Sequence, residues 1–374
     1  MLEIVNIRDG AVLDRHDGRE TADALEVVVK GLASPQATVT VNGIPADRDD
    51  RNFSAKIRLT RKINRITAAS VDAYGERTQT ITVIWDKGSF RRYNFFIDDC
   101  IFFLRNVAVN RLPSLFDDHF LRRLREIHGK YGSRFTLNLF FHDDHHDFSL
   151  TEFPGRYRRE FQENSDWLKL SFHAKSEFPD RPYQSADAAT LAADFDEVRR
   201  EVCRFAGPEC FIAPMVIHWA MTNPENFPVL SERGVRCLAG GFLNAISHIG
   251  ESHSVAVTDI GFHYEQDVAR YICDKHLYYD RRWNMFLLDD LVTCNYATQE
   301  DIRAAFAKLK PEQDTVNIIT HEQYCYPDYF NYIPDHLDRI ELACRLADEA
   351  GYKPVFFNDG LLGNPAWENC AKKG

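Results

Sequence analysis

The hydrophobic pattern changes character near residue 90. Before it, short segments alternate apolar and polar positions with a period of two, at 24–30, 37–41, 52–59, 65–71 and 78–85. Turn-forming pairs divide them: Ser34-Pro35, Asn42-Gly43 and Tyr74-Gly75. Strands at this spacing predict an all-β sandwich over residues 1–88, with Asp86-Lys87-Gly88-Ser89 as the link to the rest of the chain. After residue 90 the rhythm becomes apolar strand, loop, helix, strand. The run Tyr93-Asn94-Phe95-Phe96-Ile97 is too continuous for a strand with one wet face and predicts one buried on both.

Helical spacing continues the pattern at 115–131, then strands at 135–141 and 168–172. A helix is predicted over 188–205, with Asp187 as its N-cap and Gly207 just past its end. Further strands are expected at 210–213, 235–239, 285–288, 316–320 and 354–357, and a helix over 335–350 stopped by Gly351. Repeated strand–helix units predict parallel strands with helices outside, closed or nearly closed into a β/α barrel over residues 89–374.

Composition narrows the partners. The formal charge of −11 and the lack of a basic stripe exclude a nucleic-acid footprint. No apolar run approaches a membrane span, and the N-terminus lacks a basic start followed by an apolar leader core. Nine cysteines without a CxxC pair predict reduced thiols, with neither a disulfide frame nor a structural zinc knot. Either the protein is cytoplasmic or a leader has been removed, and the reduced thiols favour the cytoplasm. The 27 phenylalanines and 15 tyrosines supply core, with rings to spare for a stacking groove.

Polar residues recur where the strands end. The run through Ile97 closes on Asp98-Asp99, two carboxylates whose repulsion a bound cation or a shared proton would relieve. His173 and Glu177 are four apart, so one helical turn would put both on one face. An imidazole, a carboxylate and one Asp make a three-ligand set for a divalent ion. His321 comes directly after the strand at 316–320 and can donate a proton to a leaving group. The run His142-Asp143-Asp144-His145-His146-Asp147 is rich in ligands, but contiguous ligands cannot all converge, so it reads as a polar loop at the barrel mouth. His218, Trp219 and Tyr324 are candidates for contact with a sugar ring.

Ile97-Asp98-Asp99, His173 to Glu177 and Ile318-Ile319-Thr320-His321 occur in the order, and on the strand ends, of the polysaccharide deacetylase family (carbohydrate esterase family 4), which this chain resembles over about residues 90 to 360. The resemblance implies a distorted seven-stranded β/α barrel. It makes Asp98 the general base, Asp99, His173 and Glu177 the metal ligands, and His321 the general acid. The metal would be divalent, zinc first, with manganese, cobalt, nickel or iron as alternatives. The substrate would be an acetylated carbohydrate losing an N- or O-acetyl group. Residues 1–88 are similar to the bacterial immunoglobulin-like modules appended to carbohydrate-active enzymes. The chain departs from the family pattern at three places: Glu177 stands for a second His, no Arg occurs within Phe211-Ile212-Ala213-Pro214-Met215, and the fourth motif's acid falls on Asp289 or Asp290. Two rival readings stay open: a catalytically silent carbohydrate-binding protein on the same barrel, and a glycoside hydrolase.

Overall fold

The computed structural model describes residues 1–220, 222–242, 245–249, 252–256 and 263–368. The chain is mixed α/β and divides into two compact units. The first comprises residues 1–90, 277–286 and 362–368 of those described. The second comprises 91–276 and 287–361.

The first unit is built from two five-stranded sheets. In one, Leu25–Ala33 pairs antiparallel with Asn52–Leu59 and Leu2–Ile4. In the other, Ile63–Asp72 and Gly75–Trp85 form a hairpin that turns at Ala73-Tyr74. Alternate residues of the long strands are buried, Val27, Val29, Phe53, Ile57 and Ile66 among them, as the two-residue period requires. Segment 277–286 joins this unit through a bridge between Ala11 and Tyr278 and a Tyr279 N–H to Gly10 carbonyl bond of 2.9 Å. The Trp367 ring packs edge-on against Trp85, centroids 5.1 Å apart.

The second unit carries a six-stranded parallel sheet. We label its elements β1 (Arg92–Cys100), α1 (Phe102–Val109), α2 (His119–Tyr131), β2 (Phe135–Phe140), β3 (Leu168–Ala174), α3 (Ala188–Phe205), β4 (Val292–Thr293), α4 (Gln299–Ala307), β5 (Thr315–His321), α5 (His336–Glu349) and β6 (Lys353–Pro354). The order is β3-β2-β1-β5-β4, with β6 also pairing to β1. Every residue of β1 and β2 is buried, which accounts for their continuous apolar runs. The ladders of the described residues do not trace a closed seven-stranded barrel.

Local chemistry explains where the helices begin and end. Asp118 caps α2 through the Leu121 N–H, and Gly132 ends it in the left-handed conformation at φ 67°. Asp187 caps α3 through Thr190. The strand expected at 210–213 is not formed. A short 3₁₀ turn, Pro208–Cys210, stands there with a single bridge from Phe211 to Leu170. Pro208 and Pro214 bracket the segment and have no N–H to give a ladder. All eight cysteines among the described residues are free thiols. No helix among the described residues is long and apolar enough to cross a membrane.

Candidate metal centre

Three side chains converge beyond the carboxyl ends of the central strands: Asp99, His173 and His218, all buried. Two of them come from β-bulges. The β1–β2 register shifts between Ile97 and Cys100, so β1 carries one residue more than its partner there. Asp99 occupies the shift with φ 56°, a left-handed conformation uncommon outside glycine. A second shift lies between Leu139 and Phe140 of β2, which pair with Phe172 and Ala174, leaving His173 as the extra residue of β3. Bulges re-aim side chains, and here they break the strict alternation that would send neighbours to opposite faces. His218 arrives from an irregular turn in which Trp219 and Ala220 both have positive φ, 65° and 47°.

Asp99 Oδ1 lies 3.1 Å from His173 Nε2 and 3.5 Å from His218 Nδ1, and the two nitrogens are 3.0 Å apart. His218 Nε2 donates to the Glu177 carbonyl at 3.2 Å, which leaves the Nδ1 lone pair facing the triangle. His173 Nδ1 has no hydrogen-bond partner and lies 3.8 Å from Asp98 Oδ1. With its proton on Nδ1, His173 also turns a lone pair inward. Three buried acceptors at these spacings repel unless a cation or a proton sits among them. Ligands about 2.0–2.2 Å from a tetrahedral ion stand about 3.3–3.6 Å apart, and octahedral edges are shorter. The three donors therefore fit a divalent metal.

Burial pushes the Asp99 carboxyl up, but His321, His173 and His218 outweigh it and hold it well below the usual carboxylate range. Asp98 goes the other way: burial, then the charge of Asp99, raise it well above that range. Two neighbouring acids are thus pushed in opposite directions by their surroundings. Asp98 accepts a 2.7 Å hydrogen bond from Asn138 Nδ2. Burial lowers His173 to about 4, so its imidazole is neutral and fit to ligate.

His321 ends β5 directly opposite Asp98 in the β1–β5 ladder, its Nε2 4.0 Å from Asp99 Oδ2. Its Nδ1 bonds Asn295 Oδ1 at 2.9 Å. That partner is an amide, and Asp290, one of the two acids read as the fourth motif's, accepts from Asn317. Beneath, His336 Nε2 lies 3.0 Å from Thr320 Oγ1 and 3.1 Å from the His321 carbonyl.

Glu177 is not one of the three converging donors. No helical turn comes after His173, because β3 runs on to Ala174, and the Glu177 side chain turns toward His145 and Gln323. His218, read from sequence as a sugar contact, takes the place beside His173. No spacing rule could have found it, since its approach depends on two left-handed residues. Trp219 is partly exposed, with the Arg181 guanidinium 4.3 Å from its ring. Tyr324 packs 6.1 Å from His321 and 5.2 Å from Tyr329, ring to ring.

No protein-family profile matches the sequence, and no curated protein matches it. Solved structures similar to the chain include a family 4 acetyl xylan esterase from Clostridium thermocellum in complex with a cobalt ion. It is 10% identical with a TM-score of 0.39, over 74% of this chain and 96% of that one. Another, from Mycobacterium smegmatis and assigned as a polysaccharide deacetylase, is 11% identical with a TM-score of 0.37, covering 72% and 94%. A xyloglucanase from Bacteroides ovatus in complex with a heptasaccharide is 12% identical with a TM-score of 0.29, covering 89% and 75%.

Proposed function

We propose that this protein is a metal-dependent hydrolase that removes acetyl groups from a carbohydrate. The observation that carries this reading is the buried triangle of Asp99 Oδ1, His173 Nε2 and His218 Nδ1, three acceptors 3.0–3.5 Å apart. These residues would hold a divalent cation, and two nitrogens with one oxygen suit zinc first, then cobalt, nickel, iron or manganese. When bound, such an ion supplies Lewis acidity toward an acetyl carbonyl and lowers the pKa of water. Asp98 is the group to take the proton from the attacking water. Among the described residues no guanidinium pairs with it, and a positive charge held at the neighbouring Asp99 would bring it into its ionised form. His321, oriented by Asn295, holds the proton that the departing amine or hydroxyl needs at Nε2.

Acetate release from acetylated xylan and from N-acetylglucosamine oligomers, without chain cleavage, separates this reading from a glycosidase. Asp99→Ala and His218→Ala should each abolish bound metal. Asp98→Asn should keep the metal and lose turnover by about 10²–10⁴-fold. Undiminished acetate release from a chelated, metal-free preparation would overturn the reading.

One observation favours a catalytically silent carbohydrate-binding protein instead. Asp98 is bonded to an amide, Asn138, and not to the cationic partner that keeps a buried carboxylate ionised. Tight binding of acetylated oligosaccharides by metal-loaded protein, with no acetate released, would select that alternative.

A further inference from the structure

Glu177 does something other than ligate. Its Oε2 accepts from His145 Nε2 at 2.5 Å and from Gln323 Nε2 at 2.9 Å, while its Oε1 has no hydrogen bond among the described residues. The ring nitrogen Nδ1 of His145 is likewise unbonded there, and neither atom is among the buried ones without a partner. One acceptor and one imidazole nitrogen of this bonded pair are thus left open to solvent. Around them stand two phenylalanines from separate loops. Phe178 is 54% exposed and Phe330 74% exposed, with ring centroids 6.3 and 6.0 Å from that of His145. Tyr329 meets the His145 ring at 90° and lies 4.5 Å from the Phe330 ring, so Phe330 is propped outward from a packed base. The assembly is continuous with the metal centre, because the Glu177 carbonyl is the atom that holds His218.

We propose that Glu177 and His145, with the Phe330 ring, form a recognition subsite for a neutral sugar ring next to the acetylated one. This subsite deepens, and rests on, the carbohydrate reading of the metal centre. A pyranose has an apolar face of C–H groups and a rim of hydroxyls. An exposed aromatic face beside a hydrogen-bonding pair with free polar atoms complements both parts. Glu177 Oε2 is already engaged by His145 and Gln323, so the pair suits hydroxyls better than a free ammonium, which would need an unpaired carboxylate. The His-and-Asp-rich loop at 142–147 thereby has a function without being a metal site: it carries His145, and its Asp144 Oδ2 fixes the Phe178 N–H at 2.8 Å.

The test is calorimetric titration of the full chain, chelated to prevent turnover, with tetramers of N-acetylglucosamine and of xylose. Glu177→Ala and Phe330→Ala should each weaken the tighter of the two probes by about tenfold, and Phe330→Tyr should restore binding. Zinc content, measured on separate reloaded samples, should be unchanged in Glu177→Ala. Affinities within about twofold of wild type for both alanine variants would overturn the proposal. So would loss of zinc in Glu177→Ala, which would return that carboxylate to the ligand set. A wild type that releases acetate but binds neither tetramer overturns the subsite alone. A wild type without zinc or acetate release, whose variants still lose sugar binding, overturns the hydrolase reading and supports the subsite.

Discussion

His321 is set by a neutral partner. Burial lowers its pKa and the charge of Asp99 opposes this only in part, while the Asn295 oxygen at 2.9 Å orients the ring without adding a formal charge. In Asn295→Asp a carboxylate would face Nδ1 and favour the imidazolium, so the pKa should rise by about one unit. A general acid works while protonated, and the alkaline limb of the acetate-release profile should therefore move up by the same amount. An unshifted limb would show that His321 is not the proton donor. Asp98, Asp99, His173 and His321 were legible as candidates because each falls at the end of a recognisable strand. His218 and Glu177 were candidates too, but the place each side chain takes was not legible. A spacing of four implies a common face only in a helix, and the bulge at His173 replaces that helix with strand and loop.

At the scale of elements, α1 depends on a residue far away in sequence. Its N-cap, Ile101, offers no side-chain acceptor. Instead the buried Glu322, one residue past β5, accepts the N–H groups of Ile101, Phe102 and Phe103 at 2.7, 3.0 and 2.6 Å. Those are among the donors a helix start leaves without an internal partner. Burial raises the Glu322 carboxyl, and the three N–H groups pull against that rise. Glu322→Ala should cost about 2–4 kcal/mol in urea unfolding, and Glu322→Gln, which keeps one acceptor, about half as much. Equal stability in both would remove the capping role. Because Glu322 adjoins His321 and its N–H bonds the Asp98 carbonyl at 2.9 Å, the same residue ties the helix to the ends of β1 and β5. Helices were readable from local signals, as with Asp187 before α3 and Gly351 after α5. This long-range cap leaves no such mark.

For the whole molecule, a metal bound at the triangle would act as a stabiliser, since the unfolded chain cannot present Asp99, His173 and His218 together. Zinc at about 100 times its dissociation constant would add about 2.7 kcal/mol. That corresponds to a rise in melting temperature of about 5 °C or more for a unit of this size. A melting curve indifferent to zinc and to chelator would mean that the triangle binds no metal. The change of architecture near residue 90 was visible as a change of hydrophobic period. The return of segment 277–286 to the first unit was not, because it reflects pairing with Gly10 and Ala11 across more than half the chain.

That return has a consequence for how the protein is made. A ribosome releases the first 90 residues long before it has translated Tyr278, and Trp367 comes later still. The N-terminal unit must therefore wait through most of synthesis with Gly10, Ala11 and the Trp85 ring lacking their final neighbours.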